Sequence, residues 1–209
     1  MNGRIVKSNK KRVATVEQIR KVEAAAIRND TDESDLIERA ADAAYEILAE
    51  TCHGKCVQIL CGGGNNGSDG LSLAFLMHSQ GYDVSVTLIG DSLNSENKRR
   101  ADYAETIDII KDCEAPDIVV DAIFGTGLSR PVTGVYSDAI RYINTSKAYR
   151  VSLDVPSGLH ADSGEVLGEA VIADMTITFT AVKPGMIVGK GLDYSGEIVP
   201  VDIGLTLLT

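Results

Sequence analysis

The first third of the chain carries two segments whose apolar positions recur with the spacing of a helix. Thr15 to about Asn29 forms the first segment, and Thr15 with Gln18 makes a capping-box pattern at its start. The second runs from about Ser34 to Thr51, with Leu36, Ile37, Ala40, Ala44, Ile47 and Leu48 on one side. The pattern therefore predicts two helices before the first strand.

Beyond these helices the pattern changes to short apolar runs that alternate with longer amphipathic ones. The runs that predict strands are "KCVQILC", "DVSVTLIG", "DIVVDAIFG", "YRVSLDVPSG", "ADMTITFTAV" and "GEIVPVDIG". Among them, "DGLSLAFLMHSQG", "SENKRRADYAETIDIIKD" and "SDAIRYINTS" predict helices. Apolar strands that alternate with helices are typical of a parallel sheet covered on both faces. We therefore expect a single α/β domain.

Three of the predicted strands end in polar loops of unusual composition. The first ends in "GGGNNGSDG", the third in "DAIFGTGLSRPVTG" and the fourth in "LDVPSGLHADSG". Ligands of open parallel sheets bind beyond the carboxyl ends of the strands, near the switch in strand order. These loops converge only if the first, third and fourth strands are neighbours. We therefore predict the flavodoxin-like order 2-1-3-4-5 rather than 3-2-1-4-5-6.

Composition and charge narrow the function classes. The 209 residues fit one domain, and a net charge of −10 argues against non-specific binding to nucleic acid, which attracts basic surfaces. No apolar run approaches the roughly 18 residues of a membrane span. The four cysteines show no zinc-type pairing and fit a reducing, cytoplasmic compartment. Residues 1–14 are basic and aperiodic, so we expect a disordered tail before one domain at 15–209.

The loop "CGGGNNGSDG" has glycines with the spacing G-x-G-x-x-G, which is also the spacing of dinucleotide-binding loops. Asp91 follows about twenty-odd residues later, at a strand end, and fits that interpretation. Asp69 does not fit, because a carboxylate in the first helical turn would repel a pyrophosphate. The residues therefore disfavour hydride transfer, and the amide oxygens of Asn65 and Asn66 become candidate ligands.

Asp121 interrupts an otherwise apolar strand, and a buried carboxylate needs a partner. One interpretation is that it accepts a hydrogen bond from a neighbouring loop amide. The other is a cation site, because hard cations take oxygen ligands from carboxylates, amides and carbonyls. Asn66, Asp121 and Ser157 would supply such oxygens from three adjacent loops.

The two remaining candidates follow the third and fourth strands. "GTGLSRP" offers loop amides, the Thr126 hydroxyl and the Arg130 guanidinium, which binds phosphate oxygens well. A solvated loop charge is the alternative for Arg130. Asp154 precedes a Pro-Ser-Gly turn and is the candidate for proton transfer, because burial tunes a carboxylate for acid–base chemistry. A turn cap is the alternative for Asp154.

The motifs "GNNGSDGL", "DAIFGTGLSRPVTG", "LDVPSGLHADSGEVLG" and "TFTAVKPGM" occur in this order behind the opening "TVEQIRKVEAAAI". The set resembles the NAD(P)H-hydrate epimerase family, also described as the YjeF N-terminal or apolipoprotein A-I-binding protein-like domain. The resemblance covers nearly the whole chain from about Thr15. It implies a three-layer α/β/α Rossmann-like sandwich with a mostly parallel sheet. It also implies an isomerase that interconverts the R and S epimers of hydrated NADH and NADPH, a repair of damaged cofactor.

The resemblance implies site residues as well. The expected contacts with the hydrated dinucleotide are Asn65, Asn66, Gly67, Ser68, Asp69, Gly125, Thr126, Gly127, Leu128, Ser129, Arg130, Pro131 and Asp154. Asn66, Asp121 and Ser157 are the implied ligands of a potassium ion. Asp154 is the expected catalytic residue and would carry the proton when the ring hydroxyl leaves and water returns to the opposite face. Ser68 departs from the family, which often has glycine there.

The resemblance further implies a homodimer and a dehydratase, fused or separate, that repairs only one epimer. The chain stops at "DIGLTLLT", close to where a fused domain would begin. Two other function classes stay open, namely an oxidoreductase that binds NAD(P) and a non-catalytic Rossmann-like interaction module. Relatives that act as scaffolds in RNA decapping usually lose the catalytic carboxylate, whereas Asp154 is retained here.

Overall fold

The computed structural model describes residues 12–51, 56–90, 92–109 and 115–207. Its helices are α1 (Val16–Arg28), α2 (Glu33–Thr51), α3 (Asn65–Ser79), α4 (Ser95–Thr106), α5 (Val135–Thr145) and α6 (Gly191–Tyr194). Its strands are β1 (Cys56–Cys61), β2 (Asp83–Leu88), β3 (Ile118–Ala122), β4 (Tyr149–Leu153), β5 (Met175–Phe179) and β6 (Glu197–Val201). A short 3-10 helix, Pro184–Met186, follows β5. Asp91, a candidate from the sequence, lies outside the described residues.

The six strands form one parallel sheet in the order β2-β1-β3-β4-β5-β6. This confirms the predicted flavodoxin-like order. β1 pairs with both β2 and β3, so that Ile59 lies beside Val86 on one side and Val120 on the other. The order of the strands switches at β1, and the loops after β1 and β3 therefore lie side by side, as a ligand site requires.

Helices cover both faces of the sheet, which confirms the three-layer prediction. Alternate side chains of β1 point to opposite faces, since a strand has a period of two. Ile59 joins the core that α2 and α3 cover, whereas Leu60 joins the core that α5 covers. The α5 side of that second core is formed by Ala139, Ile140 and Ile143. The apolar strands are thus buried on both faces.

The helix starts follow local capping rules, with one correction. The Thr15 side chain accepts from the Gln18 amide and the Gln18 side chain accepts from the Thr15 amide, which confirms the capping box. The sequence placed the start of α3 at Asp69, but the helix begins at Asn65, directly after Gly64. The prediction was wrong because the backbone of Asn65 and Asn66 is already helical, which the residue types of this glycine-rich loop do not indicate.

Three residues of the expected N-terminal tail belong to the folded part. Val13 forms a parallel bridge with Val182, and Ala14 is buried. The Ala14 amide donates to the Val182 carbonyl at 3.0 Å. The rest of the expected tail, residues 1–11, lies outside the described residues. Within the described parts of the chain, no helix has the length and apolar character needed to cross a bilayer.

Candidate active site

A cavity of about 770 Å³ lies beyond the carboxyl ends of β1, β3 and β4. This volume is in the range of small-molecule and cofactor sites. Helices α1 and α2 form the facing wall, with Ile19, Glu23 and Leu36 among their contributions. The predicted contact residues that line the cavity are Asn65, Asn66, Asp69, Gly125, Thr126, Gly127, Leu128, Ser129, Arg130 and Asp154. The polar loops of the sequence therefore converge on one site.

Three predicted contact residues do not line the cavity. Gly67 packs against the preceding loop so closely that a Cβ there would lie 1.8 Å from the Gly62 carbonyl oxygen. Ser68 is buried, and its hydroxyl donates to the Asn97 amide oxygen rather than facing the cavity. Pro131 is exposed at the far end of its loop. These residues shape the loops that reach the cavity.

Ser68 has a structural role that the sequence did not indicate. Asn97 of α4, which accepts from Ser68, donates through its amide nitrogen to the carbonyls of Gly62 and Gly64 at 3.2 and 2.9 Å. The amide thus ties the glycine loop to α4. The Ser68 hydroxyl therefore anchors the glycine loop to α4 through Asn97 and does not line the cavity.

Asp154 is held in an uncommon backbone conformation at the cavity wall. Its φ is 67°, a region that residues other than glycine rarely adopt. The Val155 amide donates to the Leu153 carbonyl at 2.9 Å, which closes a three-residue turn centred on Asp154. The Asp154 amide donates to Ile177 of β5 at 2.7 Å. Strain of this kind persists where the surrounding structure holds it, often at functional sites.

Lys183 is the residue that the sequence analysis missed. Its ammonium donates to the Asp154 carboxylate, to the Thr178 hydroxyl at 2.9 Å and to the Phe179 carbonyl at 3.0 Å. The Lys183 side chain is 1% exposed and that of Asp154 is 15% exposed. A buried lysine needs such partners. The only signal in the sequence was a lysine within the mostly apolar segment "TFTAVKPGM".

Two further carboxyls, Asp69 of α3 and Glu23 of α1, face the same cavity. Burial raises the pKa of Asp69 well above its ordinary value, and the charges of Asp154 and Glu23 add to the rise. Burial also raises the pKa of Glu23, with a second contribution from Asp154. Both carboxyls therefore keep their protons to higher pH than free carboxyls do. Glu23 lies on a helix that the sequence analysis did not connect with the site.

Asp121 is fully buried in β3 and has its own set of donors. Its carboxylate accepts from the Ser152 hydroxyl at 2.8 Å, from the Ser157 amide at 2.8 Å and from the Ser157 hydroxyl at 2.5 Å. The Ile123 amide adds a fourth bond at 3.2 Å. Burial raises the pKa of Asp121, and these four bonds oppose the rise. Asp121 therefore has hydrogen-bond donors in the loop after β4, as the first of its two interpretations expected.

Asn66, the third member of the predicted cation site, has the opposite environment. Its amide oxygen and nitrogen are buried and have no hydrogen-bond partner among the described residues. A Cβ on Gly125 would lie 3.5 Å from the Asn66 Cβ and Cγ, and the neighbouring Phe124 amide donates to the Ser157 hydroxyl at 2.8 Å. The Asn66 side chain thus contacts the loop after β3, whose Phe124 is bonded to Ser157. A buried amide oxygen without a partner fits the oxygen ligands of a hard cation.

These observations define a class: a Rossmann-like α/β sandwich with a charged ligand cavity at its topological switch point. Residues 33–185 match the family model described as YjeF-related protein N-terminus. The match spans most of the chain, and the chain belongs to this family. The resemblance that the motifs indicated is thereby confirmed.

Named relatives agree with this membership. The chain is 39% identical to the NAD(P)H-hydrate epimerase of Limosilactobacillus fermentum, over 80% of this chain and 84% of the relative. It is 40% identical to the enzyme of the same name from Levilactobacillus brevis, over 81% and 83%. It is also 38% identical to the bifunctional NAD(P)H-hydrate repair enzyme Nnr of Coxiella burnetii, over 90% of this chain but only 41% of that longer protein.

The fold recurs in a solved structure. The crystal structure of yeast ynu0 superposes with a TM-score of 0.78 and covers 94% of this chain and 95% of the yeast chain. Only 17% of the aligned residues are identical, so this likeness concerns the fold alone.

Proposed function

We propose that this chain is an NAD(P)H-hydrate epimerase, an isomerase that interconverts the two epimers of hydrated NADH and NADPH. The observation that carries the proposal is the buried Asp154–Lys183 pair at the wall of a 770 Å³ cavity, in a chain whose relatives bear that name. Family membership supplies the reaction, and the cavity supplies carboxyl groups suited to it.

The substrate is placed by loop amides and one cation. Helix α3 begins with the amides of Asn65 and Asn66, and its N-cap, Gly64, has no side chain that could cap them. A helix N-terminus attracts phosphate through its amides and its dipole. Arg130, exposed at the rim of the cavity, adds a guanidinium that pairs with phosphate oxygens. We place the pyrophosphate between these groups, which directs the hydrated ring toward Asp154. Because α3 begins at Asn65, Asp69 lies beyond the first turn and burial raises its pKa, so the expected repulsion of a pyrophosphate does not apply.

The reaction moves a hydroxyl without moving a hydride. The carbon–oxygen bond breaks when the departing hydroxyl is protonated and leaves as water, and the ring nitrogen lone pair forms a C=N bond, giving a ring cation. Water then adds to the opposite face and loses a proton. Asp69, with its raised pKa, is the carboxyl that holds a proton to deliver. Asp154, beside Lys183, supplies the negative charge that stabilises the cation and accepts the proton, which returns to Asp69 through solvent before the next turnover.

A potassium ion is the proposed cofactor, held by the Asn66 amide oxygen, the Asp121 carboxylate and the Ser157 hydroxyl. The buried amide of Asn66 supports this assignment, because its atoms have no partner in the described residues. When bound, the ion would supply positive charge beside Asp121 and fix the loops after β1, β3 and β4. Thermal unfolding tests the site independently of activity. Potassium should raise the midpoint more than sodium does, and Asn66→Ala should abolish the difference.

An epimer-specific dehydratase provides the test of the activity. The dehydratase alone consumes one epimer of a mixed hydrate preparation and then stops. Adding this protein should let consumption run to completion, faster in potassium than in sodium. Consumption that stops at the same point with and without the protein would contradict the proposed function.

Three further properties remain predictions: the oligomeric state, the dehydratase partner and the location in the cell. The homodimer is testable by light scattering of the purified chain. A dehydratase partner is suggested by the bifunctional relatives, whose names describe a repair enzyme of wider scope. The cytoplasmic location is testable by fractionation of the source cells.

A further inference from the structure

We propose that Lys183 is a positioning residue of the exchange reaction: its ammonium fixes the Asp154 carboxylate in its strained turn. The inference rests on the proposed function for the reaction itself. Its basis, however, is the geometry of two matching turns that end neighbouring strands.

The turns after β4 and β5 have the same unusual form. Asp154 is the first residue after β4 and Thr180 is the first after β5, and both have a φ of 67°. In the second turn the Ala181 amide donates to the Phe179 carbonyl at 2.7 Å, as Val155 donates to Leu153 in the first. Three-residue turns with positive φ at the centre are rare and strained. A β-branched residue such as Thr180 is a clear outlier there.

Lys183 joins the two turns. Its ammonium reaches the Asp154 carboxylate in the first turn and the Phe179 carbonyl in the second. The third donor goes to the Thr178 hydroxyl in β5. An ammonium has three donors, and all three have acceptors here. Lys183 therefore has no donor left for the substrate, and its effect on the reaction passes through Asp154.

The surroundings explain why this lysine matters. Three carboxyls face the region: Glu23 from α1, Asp69 from α3 and Asp154 after β4, with Lys183 as their buried cation. Close carboxyls do not all ionise together, because like charges repel in a site with little water. The cation contacts Asp154 directly. It therefore holds the Asp154 carboxylate in place beside carboxyls that repel it.

Lys183→Met tests the role, because methionine keeps much of the length and removes the charge. We expect kcat for epimer exchange to fall by about 100-fold, the scale of general acid–base catalysis, while KM changes little. Lys183→Arg, which keeps the charge, should recover part of the rate. Lys190→Met is the control, since Lys190 is exposed on the same connection between β5 and β6.

Thr178→Val provides a second test if Lys183→Met does not fold. Valine keeps the shape of threonine but removes the acceptor of one ammonium donor. We expect a smaller fall in kcat than Lys183→Met gives, with KM little changed and with Thr178→Ser close to the wild type. A folded Lys183→Met or Thr178→Val variant with the wild-type kcat overturns the proposal.

Failure of the proposed function gives a different result. If the wild-type protein exchanges no epimers, the function is wrong, and the Lys183–Asp154 coupling is still measured through unfolding midpoints. Lys183→Met, Asp154→Asn and the double variant form a cycle, and we expect the double variant to lose less than the two single losses combined. Additive losses would mean that the pair is not coupled.

Discussion

The Asp121 and Asp154 carboxylates lie near the carboxyl ends of neighbouring strands, and their surroundings differ in kind. Asp121 accepts four hydrogen bonds, all from groups of the sheet and its loops. Asp154 sits in a strained turn, faces a cavity and depends on one buried lysine. The sheet thus places two acidic groups at one edge. Protein donors hold the first beside the proposed potassium site, and the second faces the substrate cavity.

This difference assigns Asp121 mainly to the stability of the fold and Asp154 mainly to the reaction. A buried carboxylate with complete hydrogen bonding fixes the loops around it, and removing one of its donors leaves a buried group unsatisfied. A carboxylate at a cavity wall among others of its kind has charge available for a reacting ring. Changes near Asp121 should therefore reduce the free energy of unfolding, whereas changes near Asp154 should reduce the rate.

Of the changes near the two carboxylates, Asp154→Asn should reduce the rate of epimer exchange most. The amide keeps the shape but neither carries the negative charge nor accepts the proton. We expect epimer exchange to fall by about 1000-fold, within the range for acid–base groups. The unfolding midpoint should fall as well, because the buried Lys183 ammonium loses its charged partner. Chiral-resolving chromatography and thermal unfolding on the same preparation check both. An exchange rate equal to that of the wild type would remove Asp154 from the mechanism.

Asp69→Asn should give the next largest effect, because it removes the proposed proton donor. We expect a fall of roughly 100-fold in kcat and loss of the alkaline decline that deprotonation of Asp69 imposes on the wild-type rate. Rate–pH profiles of the two proteins provide the measurement. If folded Asp69→Asn has the rate–pH profile of the wild type, another group is the proton donor.

Asp69→Asn should also change how the free energy of unfolding depends on pH. The pKa of Asp69 is raised in the folded protein, so the unfolded state loses this proton first as the pH increases. The stability of the wild type therefore falls from the ordinary carboxyl pKa up to the raised one. Asp69→Asn lacks this loss, and its stability relative to the wild type should increase with pH over that interval. Denaturant unfolding at several pH values measures the trend, and a pH-independent difference would count against it.

Gly125→Ala should show how closely Asp154 is placed. A Cβ at this position would lie 3.1 Å from one Asp154 carboxylate oxygen, so the carboxylate must shift by a few tenths of an ångström. Small displacements at reacting groups are costly, and we expect a loss of roughly tenfold in kcat with little loss of stability. Steady-state kinetics with thermal unfolding checks this, and an unchanged kcat would indicate that the carboxylate tolerates displacement.

Ser152→Ala addresses the other half of the comparison and should give the smallest effect on the reaction. It removes one donor to Asp121 without touching the cavity. We expect the free energy of unfolding to fall by about 1–3 kcal/mol, as for a hydrogen bond to a charged group, and kcat to stay at the wild-type value. Denaturant titration and the exchange assay measure the two. A loss of rate without a loss of stability would reverse the roles assigned to the two carboxylates.

Sequence patterns predicted the architecture because it follows from local rules. Apolar strands that alternate with helices indicated the parallel sheet, and polar loops after three strands indicated which of them are adjacent. The convergence of Asn66, Asp69 and Asp154 followed from that order alone. The start of α3 was missed because asparagine favours both turns and the first turn of a helix, and its type does not separate the two.

The missed parts of the site depend on distant packing. Lys183 is a surface-type residue by composition, and only the fold of the turn after β5 brings its ammonium to Asp154. Glu23 faces the cavity because α1 packs across the strand ends, which its own amphipathic pattern does not specify. The orientation of Ser68 toward Asn97 depends on how α4 lies beside α3.

Oxygen exchange with the solvent is the most direct test of the proposed loss and return of the ring hydroxyl. A single epimer of hydrated NADH is incubated with the protein in water enriched in oxygen-18, and each epimer is isolated and weighed by mass spectrometry. We expect the newly formed epimer to carry oxygen-18 and Asp154→Asn to form it no faster than buffer alone. A new epimer that retains its original oxygen, or a starting epimer that the wild-type protein leaves unchanged, would contradict the proposed exchange.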